Sequence, residues 1–183
     1  MNFNMNYKYP SREKCVEYLN EYGTPEHVIG HCKAVADVAV TVGKRLNEKG
    51  LKLNIGLIEA AGLTHDLARV EDKHWEVAAN FLCKKGYESV ADIVKVHMYY
   101  PQFSKPEETT ETDLVCLGDR TVKEDKYVGV EERMAYIINK AQRNSGDPEV
   151  IERILEKKKQ LISYINGLEK IMGVSLEQLM KGH

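Results

Sequence analysis

Across most of this chain the apolar residues recur at steps of three and four, the repeat of one helix face, and they do not alternate as strand residues do. That periodicity predicts an all-α bundle of about eight helices with no sheet, because the breaks between periodic stretches carry capping signals and not hairpin turns. Ser11 to Tyr22 reads as a short amphipathic helix closed by Gly23. Thr24-Pro25-Glu26 supplies a cap, a proline at the first helical position and an acid in the first turn, opening a helix to about Glu48. Asn54 caps a helix rich in small residues through Leu67, and Asp72 caps the next, which Gly86 closes. Further helices are expected over Ser89 to Met98, Thr112 to Val122 and Val130 to Gln142. Asp147-Pro148-Glu149 repeats the start signal for a long charged helix to Met172, with one short helix after it.

With 183 residues, 43% of them hydrophobic, the chain suffices for one substantial core. The expected organisation is a single domain over 1–183, with 1–23 an N-terminal helix, 24–141 the core and 147–183 a helical extension read as packing. The run Glu156-Lys157-Lys158-Lys159 reads as a solvated helix face. Tyr99 to Thr110, with Pro101 and Pro106, is the longest expected loop and a natural rim for a site.

Lys and Arg total 26 against 28 acids, a net charge of -2, which gives no general electrostatic reason for a nucleic-acid or membrane partner. Cys15, Cys32, Cys83 and Cys116 form no Cys-x-x-Cys pair and read as small core residues in a reducing compartment. The start MNFNMNYKYP lacks the apolar stretch of a signal peptide, and no later run reaches the roughly 20 apolar residues of a membrane span, so a cytoplasmic location is expected.

The chemistry lies in polar residues on apolar faces, where an unpartnered group is costly. His31 falls among Val28, Val35, Val38 and Val42; His65 aligns with Ile58 and Ala61; His74 leads to Val77, Ala78 and Phe81. His97 shares a face with Val90, Ile93 and Val94, and Asp119 with Val115 and Val122. A single histidine so placed usually just bonds a backbone carbonyl. Four of the five non-terminal histidines placed this way, with an adjacent His65-Asp66 pair and a later aspartate, are explained jointly by one metal site of nitrogen and oxygen donors. His27, in a first helical turn, belongs to the rim of such a site.

The order His31, His65-Asp66, His74, His97, Asp119 resembles the HD-domain superfamily of metal-dependent phosphohydrolases. The likeness runs from about Thr24 to Ala141 and includes Ala60-Ala61-Gly62-Leu63-Thr64 before the pair and Leu117-Gly118-Asp119-Arg120 followed by Glu131-Glu132-Arg133. It implies that His31, His65, Asp66 and Asp119 hold one divalent metal, and that Asp66 bridges to a second carried by His74 and His97. It favours iron or manganese, with magnesium, cobalt and nickel compatible and zinc less suited. Leu67-Ala68 and Met98 after His97 depart from one branch of the family and argue against a three-metal cyclic-dinucleotide enzyme.

The implied activity is hydrolysis of a nucleotide or other small phosphoester by metal-activated water. Asp66 and Arg69 are the catalytic candidates; Arg69, Lys95, Arg120 and Arg133 are candidates for the substrate phosphate, and Tyr99, Tyr100 and Phe103 for stacking. Trp75 reads as a core anchor. The rivals are a di-iron oxygenase of related architecture, a nucleotide-binding regulator without turnover, and a structural bundle. A homodimer is compatible with the helical extension.

Overall fold

A computed structural model describes residues 8–100 and 102–182, so Pro101 lies outside the described residues. The described chain is helical, with one minimal hairpin: α1 (Arg12–Tyr22), α2 (Glu26–Glu48), α3 (Ile55–Thr64), α4 (His74–Lys84), α5 (Glu88–Val96), α6 (Glu111–Asp119), β1 (Val122–Lys123), β2 (Lys126–Tyr127), α7 (Gly129–Asn144), α8 (Pro148–Met172) and α9 (Leu176–Lys181). Short 3-10 turns occupy His97–Tyr99 and Pro106–Glu108.

Most of the caps are those of the sequence. Ser11, Asn54, Asp147 and Ser175 each accept a backbone N–H of their helix's first turn, and Gly23 and Gly173 end theirs in the left-handed conformation. Four expectations are corrected. Asp72 does not cap α4: its carboxylate accepts the N–H of the adjacent Lys73, which itself holds the cap position with no side-chain bond. Thr24 does not cap α2: its buried hydroxyl donates to the Leu67 carbonyl at 2.6 Å, tying the start of α2 to the segment after α3. The third helix stops at Thr64, and residues to Glu71 continue as tight three-residue turns. Val122 leaves its helix for β1, paired antiparallel with Tyr127, because α6 ends at Asp119.

The long α2 runs through the middle, with α3 and α6 laid against it, α4 paired with α5 and α7 with α8. Val35, Ala36, Ala39 and Val42 of α2 meet Ile58 and Ala61 of α3 and Leu114, Val115 and Leu117 of α6 in one apolar cluster. Two glycines set this spacing. A Cβ on Gly62 would fall 2.8 Å from the Ala36 Cα, and one on Gly118 would fall 2.8 Å from the Val35 carbonyl oxygen. Both close approaches lie one turn beyond His31, so His65 and Asp119, just after the two glycines, are drawn in around it.

Cys15, Cys32 and Cys116 are buried, but Cys83 is exposed on α4 and is not a core residue. Trp75 is half-buried and packs edge-on against the exposed Tyr99, so it is no core anchor. No helix among the described residues is long and apolar enough to cross a membrane.

Candidate metal centre

Six side chains from five successive segments meet at the inner end of a cavity. His31 comes from α2, His65 and Asp66 follow α3, His74 opens α4, His97 follows α5 and Asp119 ends α6. His31 Nε2 lies 3.2 Å from Asp119 Oδ1, and His65 Nε2 lies 3.9 Å from the same oxygen and 3.7 Å from Asp66 Oδ2. The other Asp66 oxygen, Oδ1, lies 3.1 Å from His74 Nε2 and 3.5 Å from His97 Nε2. Donor atoms of His31, His65 and Asp119 fall within 4.8 Å of one another, and so do those of His65, Asp66 and His97.

The backbone decides which nitrogen faces inward. Nδ1 of His31, His65 and His97 meets the carbonyls of Glu124, Gly62 and Val94 at 2.8, 2.8 and 2.7 Å. A carbonyl only accepts, so each Nδ1 carries a proton; Nε2 of His65 and of His97 is left to turn a lone pair toward the centre, the arrangement that prepares imidazole for a cation, while Nε2 of His31 lies within hydrogen-bonding distance of Asp119. Positive φ in non-glycine residues occurs, among the described residues, at Lys73 (49°) and Glu124 (54°). Lys73 immediately precedes His74, and the Glu124 carbonyl, at the tip of the hairpin, holds His31. Strain of this kind persists where surrounding structure fixes a functional geometry.

The centre is dry and unsatisfied. His65, His74, His97 and Asp66 are 0%, 4%, 1% and 7% exposed, and His65 Nε2, His74 Nε2, His97 Nε2 and Asp66 Oδ1 find no aligned hydrogen-bond partner. Even the 3.1 Å approach of His74 to Asp66 lacks hydrogen-bond alignment. Orphaned buried atoms are rare and costly, and here they are neighbours: donors of His65, Asp66 and His97 fall within 4.8 Å of one another and His74 Nε2 lies 3.1 Å from Asp66 Oδ1, which fits cation binding better than separate hydrogen bonds. Charge agrees. Burial works to raise the Asp66 carboxyl, yet His65, His74 and His97 hold it well below the usual carboxylate range. Burial likewise opposes ionisation of Asp119, and its bond to His31 with the nearby His65 brings it below the range. Desolvation pushes His65 down to about 4, which leaves its imidazole neutral at pH 7. Desolvation of His31 is outweighed by Asp119, and its net shift is upward.

The cavity above the centre has a volume of about 530 Å³. His27, Arg69, Arg120 and Arg133 line it with His31, Asp66 and Asp119. Arg69 Nε lies 3.4 Å from Asp66 Oδ2 and Arg133 Nη2 3.5 Å from Asp119 Oδ1, so both guanidiniums stand beside the carboxylates. Lys95 is not brought to this cavity: it is exposed on α5, one face away from His97. The loop aromatics are also occupied elsewhere. Tyr100 donates to Asp113, Phe103 stacks on Tyr164 and Tyr99 packs on Trp75.

Sequence reasoning missed the outer wall. Tyr136, Ile137 and Lys140 of α7 and Ile154 and Lys157 of α8 line the cavity, so the extension does more than pack. The signal was present: Arg133, Tyr136, Ile137 and Lys140 share a face at helical steps, as do Ile154 and Lys157. The run 156–159 is accordingly not uniformly solvated, since Lys157 turns into the cavity while Lys158 pairs with Glu131. A larger open trough of about 900 Å³ along α8 is bordered by Glu131, Glu149, Arg153 and Lys158 and by none of the centre's residues.

The family model of the HD domain matches residues 28–124, and the chain belongs to that family. Over 93 residues the chain is 31% identical to a tRNA (cytidine(56)-2'-O)-methyltransferase of Thermoplasma volcanium, a match over 49% of this chain and 26% of that protein. Over 77 residues it is 31% identical to an uncharacterized protein of Methanocaldococcus jannaschii, over 40% of this chain and 46% of that one. The chain thus spans about a quarter and about half the length of these curated relatives. No solved structure matches.

Proposed function

We propose that the chain is a phosphohydrolase that cleaves a small phosphoester at a site for two divalent cations. The observation that carries this reading is the convergence of orphaned, buried donors from His65, Asp66, His74 and His97. In the proposed assignment His31, His65, Asp66 and Asp119 hold one cation, and His74 and His97 hold the second with Asp66 shared between them. The donor set of imidazoles and carboxylates without thiolate suits iron or manganese best. Bound there, divalent cations supply Lewis acidity and a water that ionises near neutral pH, so no nucleophilic side chain is required.

The protein's own groups do the remaining work. Two carboxylates that stay ionised despite burial set the charge of the centre, and imidazoles fixed by backbone carbonyls keep their lone pairs on it. Arg69, 42% exposed at the mouth and beside Asp66, is placed to pair with phosphoryl oxygens and orient the phosphorus for in-line attack. Arg133, bonded through Nε to the Asp119 carbonyl, offers a second fixed cation. The cavity volume lies within the range of small-molecule sites.

The test is phosphate release by the iron- or manganese-loaded protein over nucleotides, simple diesters and, given the tRNA-modifying relative, RNA ends bearing terminal or cyclic phosphates. Release that disappears in His65→Ala supports the reading. No release across that panel overturns it, and substrate oxidation that depends on air points to oxygen activation at the same centre.

A further inference from the structure

The inner and outer cations of the cavity differ in what they face. Arg69 and Arg133 stand beside Asp66 and Asp119. Arg120, Lys140 and Lys157, which line the same cavity, have no carboxylate oxygen within 4.0 Å among the described residues. Arg120 donates Nη1 to the Cys116 carbonyl at 3.1 Å and Nη2 to the His97 carbonyl at 3.2 Å, which fixes its position and leaves its charge uncompensated. Lys157 meets it from α8 both here and in a narrow crevice beside the main cavity. Burial, then the repulsion of Arg120 and Arg153, pull Lys157 below its ordinary value. Cations gathered in a partly desolvated cavity repel one another unless an anion joins them, and a phosphoryl group relieves that repulsion most fully. Met134, Ile137 and Ile154 line the same cavity and offer a surface for an uncharged body.

We infer that Arg120, Lys140 and Lys157 form a second anion subsite, and that the compound this cavity takes carries two separated phosphoryl groups joined by a less polar body. One group faces the metal centre and the other faces Arg120 and the lysines of α7 and α8. Which of the two is cleaved rests on the phosphohydrolase reading; the existence of the second subsite does not, because none of its three residues belongs to the proposed metal ligands.

The experiment therefore measures binding to the metal-stripped full chain by calorimetry, with adenosine 3',5'-bisphosphate and adenosine 5'-monophosphate as probes. The wild type is expected to bind the bisphosphate at least about tenfold more tightly, a difference of about 1.4 kcal/mol. The double variant Lys140→Gln, Lys157→Gln should bind both probes alike, and Lys157→Arg with Lys140 kept should restore the preference. Equal affinity of the wild type for both probes overturns the inference, and so does a preference that survives in the double variant. Phosphate release is measured in parallel on loaded wild type. A preference without turnover sinks the hydrolase reading and leaves the subsite standing; turnover without a preference does the reverse.

Discussion

Asp113 and Asp66 are both carboxylates buried in the same helical bundle, and they have opposite surroundings. Asp113 is fully buried and satisfied: Oδ1 accepts from the Tyr100 hydroxyl at 2.7 Å and the Ser104 N–H at 3.0 Å, and Oδ2 accepts from the N–H and hydroxyl of Thr110, both at 2.8 Å. It closes the capping box of α6 and pins the loop that precedes it. Asp66, 7% exposed, has Oδ1 facing two imidazole nitrogens without an aligned bond to either. A buried acid whose every partner is in place is part of the scaffold. One whose Oδ1 faces only unaligned imidazole nitrogens, with the Arg69 guanidinium beside its other oxygen, has the surroundings that suit a cation.

Removing each acid in turn separates their roles. Asp66→Ala is expected to lower phosphate release about a thousandfold, the loss of a few kcal/mol of transition-state stabilisation, and to lower metal content with it. Its metal-free form should lose less stability than Asp113→Ala in urea unfolding. Asp113→Ala should cost about 3 kcal/mol, because Tyr100, Ser104 and Thr110 would all be left unpaired. Equal losses from the two variants would make Asp66 a scaffold residue after all.

A smaller effect, on the order of 2 kcal/mol, comes from pH in the metal-free protein. His65 takes up a proton near 6.5 when unfolded and only near 4 when folded, so protons favour the unfolded chain and stability falls as pH drops through that window. The raised His31 opposes this slope, while the depressed carboxylates lose their contribution only at still lower pH. Unfolding free energies measured from pH 7 to 4 should decline, and His65→Ala should decline less. The smallest effect concerns the close helix approach: Gly62→Ala should cost about 1–2 kcal/mol in thermal unfolding by pushing α3 off Ala36.

The helices were legible because amphipathic periodicity and caps are local, and the six inward polar residues were legible because each broke an apolar stripe. The failures were tertiary. Thr24 carries an ordinary capping signal, but its hydroxyl goes to the Leu67 carbonyl 43 positions away, which no local pattern announces. The β1–β2 hairpin depends on Glu124 adopting a left-handed conformation, unusual for that residue type and held together with His31. The helical step from Ile154 puts Lys157 on an inward face, but that this face of α8 meets the cavity and that of Lys95 on α5 does not is set by packing against elements far along the chain. Tyr100 and Phe103 looked free for the same reason, though Asp113 and Tyr164 take them.

Metal content of protein purified without oxygen, wild type beside Asp66→Ala, decides whether the orphaned donors around Asp66 bind divalent cations. Two ions are expected per wild-type chain, with melting temperature falling when a chelator removes them, and little or no metal in the variant. A wild type that takes up no iron or manganese when offered an excess, or a variant that binds as much as the wild type, would contradict this expectation.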